Sequence, residues 1–349
     1  MEFSTAAEIF RSYGPNGITR YDLNNAYNKA LISDDTQMTL FTAVGLLFGM
    51  TRGELKGIGG DGTGFIRKAY LDWYMTQTRP FPLPEDYFSV SWLINCSSFF
   101  HRRAPGNTCM SALLAGGNGT IDSPINNSKG CGGIMRVAPI GLYFIELREP
   151  IDSAARIGAE AAAVTHGHEL GYIPAAALVH IIYSLASGRH SDILSAVQDS
   201  MSSMKLLFPN ALHMDEFQSV MEKAIALSES DITDVVAIHQ IGGGWVAEET
   251  LAIAVYCALK YSHDFEKAII ASVNHNGDSD STGAVTGNIL GAYLGIDVIP
   301  DYYLNDLEMK DIILEIADDL YRDVPIDDSD HIHDQVWLRK YLYMDYAGE

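Results

Sequence analysis

Apolar residues recur three and four positions apart along most of the chain, and few stretches alternate strictly between apolar and polar, so helices are expected to dominate. The spacing predicts helices over 36–50, 153–166, 174–188, 215–229, 247–261 and 265–274. Punctuation supports these assignments. Asp215 and Glu216 fall in a first turn, where the helix dipole favours negative charge, while Pro174 opens one segment and Gly188 closes it. The aromatics of "AYLDWYMTQ" (69–77) fall at helical spacing and are read as core. Residues 79–136 break the pattern: they are rich in Pro, Gly, Asn and Ser, with at most one helix, around "VSWLINCSSFF", and otherwise loops of the kind that carry function. No linker, low-complexity segment or fixed-period repeat divides the chain. A single all-α domain over 1–349 is expected, with an acidic C-terminal segment at 325–349.

Composition narrows the function. The 349 residues, 47% of them apolar, can fill a sizeable core, and 23 basic against 45 acidic side chains give a formal charge of -22. Such a surface repels phosphate backbones and anionic lipid, so neither unmodified nucleic acid nor a membrane is an expected partner, whereas cations are. Cys96, Cys109, Cys131 and Cys257 lie far apart and form no C-x-x-C pair, which points to neither a thiolate zinc site nor a disulfide framework. The first residues, "MEFSTAAEIF", lack a basic and apolar leader pattern, and no uninterrupted apolar stretch approaches the roughly 20 residues of a membrane span. A cytoplasmic location is expected.

Two stretches concentrate oxygen at the mouth of an apolar helix. "ISDDTQMTLF" places Ser33, Asp34 and Asp35 before one, and "NHNGDSDSTGAVTGNILGAYLG" places Asp278, Asp280 and Ser281 before another. Simple N-capping explains one such residue at each helix. Four aspartates and two serines exceed that need, and if the two helices pack side by side their oxygens suit hard divalent cations such as Mg²⁺, two of which could share the site. Four clustered buried carboxylates would otherwise repel one another.

These motifs, with "KGCGGIMRVAPIG", "THGHELGY" and "GGGWVAEETLAIAVYCAL", resemble the ADP-ribosylglycohydrolase family over nearly the whole chain. The resemblance implies an all-α, single-domain bundle with a binuclear Mg²⁺ site, Mn²⁺ being an alternative. It also implies hydrolysis of the bond between ADP-ribose and a modified side chain, with an ADP-ribosylated protein or an ADP-ribose-containing small molecule as partner. Carried over by position, the metal ligands are Ser33, Asp34, Asp35, Asp278, Asp280 and Ser281, with serine standing where the family often has threonine. Gly132 and Gly133 correspond to an ADP-ribose-binding loop, where glycine lets backbone approach a ligand, although plain loop geometry is the alternative. His166 is placed beside the substrate and Asn107 near the distal ribose, where an amide can both donate and accept. His168 is left between cap and ligand.

Two departures from the family pattern stand out. Members usually begin with a helix bearing Gly-Asp-Ala-x-Gly, followed by a catalytic glutamate; this sequence opens after that motif, with Glu2 at the glutamate position. Arginine-directed members tend to carry an aspartate three positions before the asparagine, where this chain has Ala104, so ADP-ribosyl-arginine is not assumed as substrate. An inactive ADP-ribose binder or crystallin-like relative, and a two-metal phosphohydrolase, are the alternative functions. "GIGGDGTGF" (57–65) lacks the Lys-Ser/Thr ending of a phosphate loop and is read as an interhelical turn. "DDSDHIHD" (327–334) is read as a solvated tail, and Trp245 as packing, with adenine stacking the alternative.

Overall fold

The computed structural model describes residues 3–23, 26, 28–57, 62–147, 149–327 and 331–348. Its helices are α1 (Ala6–Tyr13), α2 (Asp34–Lys56), α3 (Thr63–Thr78), α4 (Asn107–Leu114), α5 (Ala138–Glu146), α6 (Ile151–Ala163), α7 (Glu169–Ala186) and α8 (Ile193–Leu207). They continue as α9 (Met214–Ser228), α10 (Asp234–Ile241), α11 (Ala247–Lys260), α12 (Phe265–Val273), α13 (Ser279–Leu294), α14 (Asp301–Asn305), α15 (Lys310–Arg322) and α16 (Gln335–Leu338). Among the described residues there is no β-strand, only isolated bridges, so the fold is all-α as the periodicity predicts.

The centre of the core is α7, against which α5, α6, α8, α11 and α13 pack. It is apolar almost all round, eighteen residues of mean hydropathy 1.3 with 83% buried inside the fold, as a core helix must be when neighbours cover every face. Small residues bring its partners close. A Cβ on Gly158 of α6 would stand 2.6 Å from the Val179 side chain of α7, and one on Gly45 of α2 would stand 2.7 Å from Ala69 Cβ of α3. Pro174 does not open α7 as expected. The helix starts at Glu169 because His168 caps it, with Nδ1 accepting from Leu170 N at 3.0 Å, which leaves Pro174 inside the helix.

Two further differences from the sequence reading bear on the site. The loop-rich region contains α4, a helix of only two turns after Pro-Gly, as well as short 3₁₀ turns at Trp92–Asn95, Ser97–Phe99 and Cys131–Gly133. The acidic stretch at 327–334 exposes Asp327, His331 and His333, but the chain then returns to the core. Trp337 and Tyr341 are buried, Trp337 Nε1 donates to Thr51 Oγ1 at 3.0 Å, and Lys340 Nζ lies 2.7 Å from both Glu315 and Asp319.

α2 and α13 pack on each other. That contact carries the two oxygen-rich helix starts, more than 240 positions apart in sequence, to one place.

Candidate metal centre and its cavity

Ser33 is the N-cap position of α2 but makes no capping bond with its side chain; its hydroxyl donates instead to Asp35 Oδ2 at 3.1 Å. Asp34 and Asp35 occupy the first turn and are buried. Across from them Asp278 caps α13, with Oδ1 accepting from Ser281 N at 3.1 Å, and Asp280 stands in that helix's first turn. One oxygen each of Asp34, Asp35 and Asp280 lie within 4.8 Å of one another. The capping reading therefore holds for Asp278, while Asp34, Asp35 and Asp280 converge in the manner of a cation site.

Asp35 Oδ1 and Asp280 Oδ1 are buried and find no donor in the protein. A buried anionic oxygen left unmatched is expensive, which favours the protonated form. Burial first, then the carboxylates of Asp280, Asp34 and Asp278, push the Asp35 carboxyl well above its ordinary value, opposed by a hydrogen bond from Ser281. Burial and the neighbouring Asp280 push Asp278 up to about 7, partly offset by the Cys131 thiol, which donates to Asp278 Oδ2 at 2.8 Å. Hard oxygen donors at two helix N-termini, with unmatched charge between them, fit a divalent cation such as Mg²⁺.

Glycine assembles the wall beside this cluster. The loop before α11 and the loop before α13 cross so closely that a Cβ on Gly277 would lie 1.9 Å from Gly243 O. Asp278 N donates to Gly243 O at 2.9 Å, and Gly243 N and Gly244 N both donate to Glu249 Oε2. On the other side, Cys131 N donates to Trp245 O and Ala247 N to Lys129 O, which ties the 130–133 loop to the start of α11. Gly106 N reaches Asp34 Oδ2 at 3.4 Å, so the start of α4 lies over the cluster. The result is a cavity of about 170 Å³ lined by Asp34, Asp35, Asn107, Gly130, Cys131, Gly132, His166, Trp245, Asp278, Asp280 and Ser281. A more apolar cavity of about 520 Å³, walled by Tyr21, Ser33, Ile269, Ile270, Val273 and Tyr303, adjoins it and shares Ala104 and Asp280 at the rim.

A family model described as ADP-ribosylglycohydrolase matches residues 1–329. This chain belongs to the ADP-ribosylglycohydrolase family. It is similar to human ADP-ribosylhydrolase ARH3, 27% identical over 215 residues that cover 56% of this chain and 58% of that protein. It is also similar to the ADP-ribosyl-[dinitrogen reductase] glycohydrolase of Rhodospirillum rubrum, 26% identical over 208 residues covering 59% and 60% of the two chains. The matched region spans less than two thirds of the length of either relative. Among solved structures, an "ADP-ribosylglycohydrolase-related protein complex" shares the fold, with a TM-score of 0.53 at 21% identity, covering 83% of this chain and 81% of that one.

The positions that the ADP-ribosylglycohydrolase resemblance singles out divide in the structure. Ser33, Asp34, Asp35, Asp278, Asp280 and Ser281 gather at one cluster, and Asn107, Gly132 and His166 line the cavity beside it. Gly133 does not line it; a Cβ there would meet Ala162 Cβ at 3.1 Å and Gly171 O at 3.2 Å, so this glycine serves packing against α6 and α7. His168 is the α7 cap. Trp245 is not core packing: 43% exposed, it stands at the cavity mouth with the Phe3 ring stacked on it at 5.7 Å and 15°. Glu2 lies outside the described residues, although the chain just after it is fixed to the rim by that stack and by Ala6 N donating to Asn276 Oδ1 at 2.8 Å.

Sequence reasoning missed Cys131 and Thr165. Cys131 meets Asp278 only in the fold, and the sole signal in the sequence is a cysteine between two glycines. Thr165 holds His166 Nδ1 at 2.8 Å from its hydroxyl. Burial and the Arg136 charge pull His166 down to about 3, which favours a neutral ring.

Proposed function

We propose that this chain is a metal-dependent hydrolase that cleaves the glycosidic bond between ADP-ribose and a modified side chain. The observation that carries the reading is the pair of unmatched carboxylate oxygens, Asp35 Oδ1 and Asp280 Oδ1, inside a cluster built from the starts of two buried helices. Family membership supplies the reaction class.

Ser33, Asp34, Asp35, Asp278, Asp280 and Ser281 would hold two Mg²⁺ ions, and such ions supply Lewis acidity and neutralise the cluster. The residues of the chain provide the remainder. At about 170 Å³ the acidic cavity is smaller than the roughly 300–1,000 Å³ of most small-molecule sites, so it takes the ribose next to the scissile bond while the rest of the ligand runs out past Gly132 and Trp245. Asn107 hydrogen-bonds ribose hydroxyls, and Gly132 admits the pyrophosphate beside His166. Binding energy gathered away from the reacting carbon thereby orients it. As the side chain departs with the bonding electron pair, positive charge grows on the ribose and is shared by its ring oxygen. Glu2 removes a proton from the attacking water as general base.

The test is release of ADP-ribose from arginine-linked and serine-linked ADP-ribosyl peptides, with Mg²⁺ and with excess chelator. Intact ADP-ribose released only with metal is expected, and the peptide that reacts names the acceptor. AMP as product would make the chain a phosphohydrolase, and no product from folded, metal-loaded protein would make it a binder.

A further inference from the structure

His166 owes its hydrogen-bonding state to a chain of buried contacts that begins at Arg136. Arg136 is wholly buried, and its partners are neutral: Nη2 donates to Thr165 Oγ1 at 2.7 Å and to Ala161 O at 3.0 Å, and the guanidinium stacks over the Tyr70 ring at 4.1 Å. A guanidinium has donors and no acceptor, so at this contact the Thr165 oxygen must accept. Its single hydroxyl proton is then free to donate, and of its two neighbours, the Cys109 thiol and His166 Nδ1 at 2.8 Å, the ring nitrogen is the stronger acceptor. An Nδ1 that accepts leaves the proton of a neutral imidazole on Nε2. That edge of the ring lies against the cavity loop, with Nε2 3.3 Å from the Cβ that Gly130 lacks and 3.4 Å from the one that Gly132 lacks. Any side chain at either glycine would crowd the donor's approach to a ligand.

We propose that Arg136 and Thr165 are positioning residues that fix His166 as its Nε2–H tautomer, giving the cavity a permanently directed donor for an oxygen of the ADP-ribose pyrophosphate or ribose. The identity of that ligand rests on the function proposed above; the tautomer does not. Burial supports the device, because a ring held neutral donates from one nitrogen only. The donor-only character of Arg136 has its use here. A group at the same place that could also accept, such as a glutamine amide, would let the Thr165 hydroxyl turn round and accept from Nδ1–H, converting Nε2 into an acceptor facing ligand oxygens.

The experiment combines histidine ¹⁵N NMR with calorimetric titration of ADP-ribose in Mg²⁺, on the full chain and on Thr165→Val and Thr165→Ser. The wild type should show His166 with Nδ1 unprotonated and Nε2 protonated throughout the neutral pH range. Thr165→Val, which keeps the shape and removes the hydroxyl, should shift the tautomer toward Nδ1–H and weaken ADP-ribose binding about tenfold, as expected for one lost hydrogen bond to a charged or polar ligand. Thr165→Ser should restore both. A wild type protonated on Nδ1, or a Thr165→Val variant whose tautomer is unchanged, overturns the relay. A wild type with the Nε2–H tautomer that binds no ADP-ribose overturns the ligand and leaves the tautomer standing.

Discussion

Asp35 sits where burial, three neighbouring carboxylates and an unmatched oxygen coincide. Asp35→Asn should therefore raise the melting temperature of the chelated protein by a few degrees, since it removes repulsion, while abolishing any stabilisation by added Mg²⁺ and, on the proposed function, lowering ADP-ribose release about 100-fold or more. A variant that loses melting temperature in chelator and keeps its response to Mg²⁺ would show that Asp35 is structural. pH gives a second handle. Asp35 and Asp278 titrate higher in the fold than the roughly 4 of an unfolded carboxyl, Asp278 at about 7. The native state then retains protons that the unfolded chain has released, so chelated protein should lose stability as pH climbs from about 4 through about 7. Asp72, buried beneath Tyr87 and Val90 N far from the cluster in sequence, is also pushed up to about 7 and adds to this slope. Mg²⁺ should flatten the part owed to the cluster and leave the part owed to Asp72, which Asp72→Asn would remove; urea titrations across this range, with and without metal, separate the two. The clustered aspartates were legible in the sequence because their chemistry is written at helix starts. Cys131 and Thr165 were not, since each acts through a neighbour that only the fold supplies.

Among the elements, the glycine crossing decides whether the two halves of the site meet. Gly277→Ala would force a methyl into Gly243 O, so the 276–278 loop must shift and take Asp278 with it. Weaker Mg²⁺ binding and lower stability are expected together. Gly291 in α13 is the control: nothing lies within 4 Å of an added Cβ, so Gly291→Ala should stabilise the protein by about 0.5–1 kcal/mol and leave metal binding alone. Denaturant melts and metal titrations of both variants check the contrast. Long helices with apolar faces were readable from spacing, and α9, α11 and α12 begin and end within a residue of expectation. α4 escaped because two turns are too short to establish a period, and the start of α7 was misplaced because Pro174 looks like an opening residue when His168, an unusual cap, had already begun the helix.

For the molecule as a whole, a formal charge of -22 surrounds the cluster with a negative field. Apparent Mg²⁺ affinity should fall as KCl is raised from about 10 mM to about 300 mM, as screening shortens the reach of that field. An affinity indifferent to salt would assign binding to the first-turn carboxylates alone. The all-α class was evident from patterning, but the docking of the C-terminal segment was not, because the acidity of 327–334 hides that Trp337 and Tyr341, four apart, share a buried face.

The two oxygen clusters lie far apart along the chain, at Asp35 and Asp280. An ion bound by both would act as a removable staple across a loop of some 240 residues, restricting the unfolded chain as a long-range cross-link does. Metal withdrawal would then untie one long-range link of the fold, so that divalent-cation level and the lifetime of the protein against proteases become coupled quantities.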